Sequence, residues 1–340
     1  MVEKIEDIAN KLVSGGKGIL AADESNATIG KRFAALNVET SYEMRRDYRE
    51  MLFSCKEALQ NYISGVILYD ETIKQEAKNK SKLIDYISEA GAVIGIKVDT
   101  GAKELPFFPS ETITEGLDGL RQRLVEYYEM GARFAKWRGV ITLDSVKYPT
   151  YSAVRQNAQA LARYAALCQE CNIVPIVEPE ILMDSGAADH SIDRCYEVTK
   201  STLRTVFDEL FIARVKLEGM VLKPNMVIDG KKNRVSSVDE VAEKTVKCLK
   251  EVVPASVPGI AFLSGGQSEI EATAHLNAMN AIGSLPWKLT FSYGRALQAP
   301  SLKAWVGLES NITKAQELFS KRAKMNSLAA QGKWSEDLEG

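Results

Sequence analysis

Eight short apolar runs, separated by stretches of helical periodicity, constrain what this chain can fold into more than any other feature. They are "KGILAADES" from Lys17, "GVILYDE" from Gly65, "GAVIGIKVD" from Gly91, "RFAKWRGVI" from Arg133, "VPIVEPEIL" from Val174, "GMVLKPNMV" from Gly219, "GIAFLSGGQ" from Gly259 and "KLTFSYGRA" from Lys288. Continuous apolar runs suit parallel strands buried on both faces. Segments such as "LDGLRQRLVEYYEMG", "QNAQALARYAALCQEC" and "VDEVAEKTVKCLKEVV" supply amphipathic helices between them. Eight strand–helix units are the number that closes a TIM barrel. A doubly wound open sheet is the competing architecture, but no run is followed by the G-x-G-x-x-G of its dinucleotide-binding form. The expected fold is therefore α/β, a (β/α)8 TIM barrel forming one domain over residues 1–340. Ile5, Ile8, Leu12 and Val13 recur at helical spacing and predict an additional N-terminal docking helix. From about Gln331 the chain is polar and acidic, which predicts a loosely held, flexible C-terminal tail.

Composition removes several classes of function. The 340 residues are 45% hydrophobic and 26% charged, with a net charge of -2, which gives no electrostatic case for binding nucleic acid. No apolar run is long enough to span a membrane. The N-terminus carries neither a secretory nor a transit pattern, and the expected location is cytoplasmic. Cys55, Cys168, Cys171, Cys195 and Cys248 lack framework spacing and read as reduced thiols; Cys168 and Cys171 form a C-x-x-C, but inside a helical pattern. The two histidines, His190 and His275, have no partner at metal-ligand spacing. We expect neither metal nor cofactor.

The chemistry concentrates where the strands end. In a (β/α)8 barrel that is the catalytic face, and side chains two apart point the same way. The rule collects Asp23, Lys97 with Asp99, Lys136 with Arg138, Glu178 with Glu180, and Lys223. Lys223 ends an apolar strand, in "EGMVLKPNM", where desolvation disfavours an ammonium. A free lysine, with a pKa of about 10.4, is almost wholly protonated at neutral pH. Burial beside another cation favours the neutral amine, which can attack a carbonyl, and the glutamates can move the protons of imine formation. This set suits a Schiff-base enzyme; an internal salt-bridge cage that only holds the strands in register is the plainer alternative.

The last two strands point to anions. "LSGGQS" places Ser264, Gly265 and Gly266 after a strand, where backbone N–H groups can approach an anion; "SYGRA" repeats the arrangement with Ser292, Gly294 and Arg295. Phosphate sites after strands 7 and 8 recur in such barrels. Ser25, Thr28, Lys31 and Arg32 in "ADESNATIGKR", with Lys97, supply a second anion site, although Ser25 or Asn26 can equally cap the following helix. Two anion sites flanking an amine imply a bisphosphorylated ketose.

On "KGILAADES", "GIKVD", "FAKWR", "VPIVEPEI", "LKPNM", "FLSGGQSE" and "LTFSYGRALQ", the chain resembles class I fructose-1,6-bisphosphate aldolases from Gly15 to Gly332. The resemblance implies Lys223 as the Schiff-base lysine, Glu178 as the proton-transfer residue and Asp23 as the base for the C4 hydroxyl, assisted by Lys136. It implies supporting roles for Glu180, Lys97 and Arg138. Arg32, Ser264, Gly265, Gly266, Ser292 and Arg295 become phosphate contacts. It also implies metal-independent cleavage of a sugar bisphosphate and a homotetramer. A transaldolase-like transferase and a non-catalytic sugar-phosphate-binding scaffold remain as alternatives. One departure stands out: animal members end in a catalytic tyrosine, whereas this chain ends "QGKWSEDLEG" with no tyrosine after Tyr293. Either Trp334 only packs the tail, or another acid such as Glu178 or water protonates the enamine, because an indole N–H is a poor proton donor.

Overall fold

The computed structural model describes residues 3–184 and 188–340. Its strands are β1 (Gly18–Ala22), β2 (Ile63–Leu68), β3 (Val93–Lys97), β4 (Gly101–Glu104), β5 (Thr112–Glu115), β6 (Phe134–Ile141), β7 (Val174–Ile181), β8 (Val221–Leu222), β9 (Gly259–Phe262) and β10 (Lys288–Tyr293). Eight of them, all but β4 and β5, close a parallel barrel in the order β1-β10-β9-β8-β7-β6-β3-β2. This is the (β/α)8 architecture expected from the eight apolar runs.

Alternation along each strand separates two cores. Ile19, Ala21, Ile67, Val93, Phe134, Val174, Ile176, Val221 and Ala261 point into the barrel and share one apolar cluster with Ile5, Ile8, Ala9, Leu12 and Val13. Helix α1 (Ile5–Val13) therefore closes the N-terminal mouth with the face read from its spacing. The outward residues pack under the surrounding helices, among them α2 (Asn26–Ala34), α3 (Tyr42–Phe53), Tyr151–Glu170, Ile192–Ile212 and Val238–Val252. Inside, the Phe134 ring lies 2.2 Å from where a Cβ on Gly95 would stand, so a side chain at 95 would drive the ring out. The barrel floor is thus filled, and its opposite end is left for polar groups.

Three features depart from the sequence reading. The sixth barrel strand, expected from Gly219, is only two residues long, because Leu217–Gly219 forms a 3-10 turn and Pro224 lacks an N–H. Lys223 still continues the ladder, its N–H donating to Val177 O at 2.8 Å. The antiparallel ribbon β4–β5 was not anticipated; its strands are short, β4 mostly exposed and β5 half-buried, so they carry little apolar pattern. It is tied to β6 by Thr114 Oγ1, which donates to Arg138 O at 2.7 Å.

The C-terminal segment is the third departure. Instead of hanging free, it packs on the last helix, Ile312–Ala329. Trp334 N–H donates to Asn277 Oδ1 at 2.9 Å, and its indole N–H to Glu339 Oε1 at 3.0 Å. Both Glu339 oxygens accept from Arg322 Nη1, at 2.6 and 2.5 Å. A polar, acidic segment is held here because a largely buried arginine awaits its carboxylate, a pairing that local composition cannot reveal.

Candidate active site at the carboxyl ends of the strands

Parallel register brings the charged positions to one height. Lys97 on β3 lies opposite Lys136 on β6, and Arg138 lies opposite Glu178 on β7. Lys136, Arg138, Glu178 and Glu180 occupy the same inward face as Phe134 and Val174 but nearer the strand ends. Asp23 follows β1 and Lys223 follows β8. These residues line one cavity of about 1030 Å³ together with Ser25, Thr28, Lys31, Arg32, Lys97, Ser264, Gly265, Ser292, Gly294 and Arg295. Of the candidate positions only Gly266 stands behind the wall. Its φ of +73° shapes the loop, and a Cβ there would meet Met183 Cβ at 2.6 Å.

At the centre Glu178 is shared by two lysines. Its Oε1 is 3.0 Å from Lys223 Nζ and its Oε2 is 3.4 Å from Lys136 Nζ. Lys136 also reaches Asp23 Oδ2 at 2.8 Å and Asp99 Oδ2 at 3.9 Å. All three groups at the core of this cluster, Lys136, Glu178 and Lys223, are almost fully buried. Burial alone would raise the Asp23 carboxyl, but Lys136, then Lys223 and Lys97, hold it well below the usual carboxylate range. Glu178 is likewise lowered, because Lys136, Lys223 and Arg138 outweigh its burial. Burial works against the Lys136 ammonium, yet Asp23, Glu178 and Asp99 hold it above its ordinary value. Lys136 is a fixed cation.

Around this centre, Arg138 is paired with Glu180 through Nε and, against its burial, is raised by that carboxylate. Lys97 Nζ contacts Asp99 Oδ1 at 2.6 Å and donates to Asp99 O at 2.8 Å. Ser25 does cap α2, its Oγ accepting from Thr28 N–H at 3.3 Å, and it faces the cavity as well, so the capping and binding readings coexist. Ser292 Oγ is buried without a hydrogen-bond partner, an unspent donor beside the Gly294 loop. Arg295 begins the helix Arg295–Trp305 and is mostly exposed, with Asp184 Oδ2 at 3.8 Å.

Among the described residues, no group of His, Cys, Asp or Glu has the arrangement to hold a metal ion. His275 is buried with Nδ1 2.6 Å from Gln267 Oε1, and burial lowers it to about 4. His190 is also buried. Cys168 is buried and Cys171 half-buried, both unpaired, and burial raises both thiols. The sequence reading did not select Glu24, Arg49 or Gln298, which form a polar cluster on Arg32; Glu24 also lines the cavity, whereas Arg49 and Gln298 do not. A buried arginine between Tyr48 and Met51 on α3 was the available signal.

The family model described as "Glycolytic: Fructose-bisphosphate aldolase class-I" matches residues 4–340. A protein of Xanthomonas campestris named "Probable fructose-bisphosphate aldolase class 1" is 52% identical over 335 residues, covering 98% of this chain and 99% of that one. "Fructose-bisphosphate aldolase 4, cytosolic" of Arabidopsis thaliana is 50% identical over 343 residues, covering 100% of this chain and 86% of that one. A solved fructose-bisphosphate aldolase of Plasmodium falciparum, crystallised with TRAP and an inhibitor, superposes with a TM-score of 0.95 at 47% identity, covering 97% of this chain and 95% of that one.

Proposed function

This chain belongs to the class I fructose-bisphosphate aldolase family, and from that premise we propose how its residues divide the reaction. As a class I aldolase it is a lyase that reversibly cleaves fructose 1,6-bisphosphate to dihydroxyacetone phosphate and glyceraldehyde 3-phosphate through a lysine imine. The observation that carries the residue assignment is the sharing of Glu178 between Lys223 and Lys136.

In the proposed sequence, ionised Glu178 takes a proton from the Lys223 ammonium 3.0 Å away. The freed amine attacks C2 of the open-chain ketose, and Glu178 returns the proton to the carbinolamine oxygen so that water leaves. Its Oε2 has no hydrogen-bond partner, which leaves a lone pair for that hydroxyl. The protonated imine draws electrons as Asp23, kept anionic by Lys136, removes the C4 hydroxyl proton. The C3–C4 bond breaks, glyceraldehyde 3-phosphate departs, and Asp23 passes its proton to solvent; the enamine left on Lys223 is protonated at C3 by water, or by Glu178 once solvent has reprotonated it, and the resulting imine is hydrolysed. Arg138 and Glu180 hold the strand faces around the substrate. Ser264, Gly265, Ser292, Gly294 and Arg295 bind one phosphate, with Gly266 shaping their loop. Ser25, Thr28, Lys31, Arg32 and Lys97 bind the other.

Borohydride added with substrate reduces the imine and fixes mass on Lys223, and Lys223→Met abolishes cleavage. An adduct on Lys136, or none, removes the assignment. We also propose a single-domain subunit, a homotetramer and a cytosolic location, the last supported by the name of the Arabidopsis relative. Sedimentation at roughly the 37.5 kDa of one chain would remove the tetramer.

A further inference from the structure

We infer that Arg49 is the buried counter-ion that allows Arg32 to leave Glu24 and take up a substrate phosphate. The inference rests on the phosphate role of Arg32 proposed above. Arg32 Nη1 lies 2.5 Å from Glu24 Oε1, and Arg32 lines the cavity beside Gly294, 3.8 Å from where a Cβ there would stand. Glu24 is nearly buried at the edge of the cavity, which it also lines, and its other oxygen accepts from Arg49 Nη1 at 3.0 Å; Arg49 Nη2 donates to Glu24 O at 3.3 Å. Gln298 Nε2 donates to Glu24 Oε1 at 3.0 Å and to Ala21 O at 2.7 Å, and Gln298 Oε1 accepts from Tyr48 O–H at 2.9 Å. Arg49 is 3% exposed and does not line the cavity. It acts through Glu24, as a positioning residue.

The electrostatics follow from the chain of contacts: Arg49, outside the cavity wall, holds Glu24, and Glu24 holds Arg32 at the cavity. A phosphate arriving at Arg32 competes with Glu24 for the same guanidinium. Were Arg32 the only cation on Glu24, yielding it would strand a buried carboxylate, which is strongly unfavourable. Arg49 and the Gln298 amide keep Glu24 compensated after Arg32 turns to the phosphate. The cluster also carries one net positive charge towards the cavity, which loss of Arg49 would cancel.

Steady-state kinetics on the full-length enzyme test this. Arg49→Met should raise KM for fructose 1,6-bisphosphate by about tenfold or more, with kcat changed less than about threefold. KM for fructose 1-phosphate, which lacks the second phosphate, should hardly move. Arg49→Lys should fall between wild type and Arg49→Met. Glu24→Gln combined with Arg49→Met should recover most of the affinity, because a neutral amide neither clamps Arg32 nor needs a counter-ion. No recovery in the double variant, or equal loss on both substrates, overturns the inference. Should Arg49→Met not fold, Glu24→Gln alone must tighten competitive inhibition by inorganic phosphate severalfold; unchanged or weaker inhibition overturns it. Arg32→Gln separates the two readings. If that variant leaves KM for the bisphosphate unchanged, the phosphate assignment and the inference fall together. If it raises KM while Arg49→Met does not, the inference alone falls.

Discussion

Lys136 faces three carboxylates and Lys223 faces one, and their proposed tasks differ accordingly. The first is locked as a cation that keeps Asp23 and Glu178 ionised. The second has a single ionised neighbour able to accept its proton. Lys97 adds only a smaller share to the field that keeps Asp23 ionised; its ammonium pairs with Asp99 and lines the cavity with Thr100 and Gly101. If it binds the distal phosphate, Lys97→Ala raises KM for fructose 1,6-bisphosphate at least about tenfold more than KM for fructose 1-phosphate, the loss of one charge-assisted contact. Equal loss on the two substrates would move Lys97 into the chemistry. At this scale the sequence was most legible where charges stood two apart in apolar strands. It was silent on Glu24, whose partners Arg49 and Gln298 lie 25 and 274 residues away.

Among elements, the C-terminal segment changes most between the sequence reading and the structure. No residue beyond Arg295 lines the cavity, and the segment folds back along Ile312–Ala329, with Trp334 covering Glu339. These contacts predict a structural role for it. Deleting Trp334–Gly340 should slow cleavage by less than about tenfold, or about 1.4 kcal/mol of barrier. It should also lower stability by about 3 kcal/mol, because Arg322 keeps Thr273 and Glu269 O but loses its carboxylate. Denaturant midpoints and turnover of the same preparations check both halves. A loss near a hundredfold, with tritium exchange into dihydroxyacetone phosphate abolished, would make the tail catalytic. Helix α1 was readable in advance because its partner is the whole barrel floor, and an apolar stripe at helical spacing needs no particular residue opposite.

For the molecule as a whole, the paired carboxylates predict how stability depends on pH. Asp23, Glu178, Asp144, Asp229 and Glu271 all sit below the ordinary range, burial being outweighed by nearby cations or backbone N–H donors. Such groups bind fewer protons folded than unfolded. Their contribution is complete above the unfolded carboxylate pKa of about 4 and disappears as pH falls through the depressed values. His190 and His275, lowered by burial, act in the same direction from about 6.5 downward. Urea midpoints should therefore begin to decline below about pH 6.5 and fall steeply below about pH 4; a midpoint flat to pH 3 would contradict this. The sequence by itself determined the barrel, the floor helix and the glycine-bearing loops that follow β9 and β10. Each depends on local periodicity or on which backbone conformations glycine allows. Only the tertiary structure decided which two lysines share Glu178, that Arg49 stands behind Glu24, and that Arg322 holds the tail. Those are single pairings between segments far apart in the chain, and a charge shows its partner only when folding has brought the two within a few ångströms.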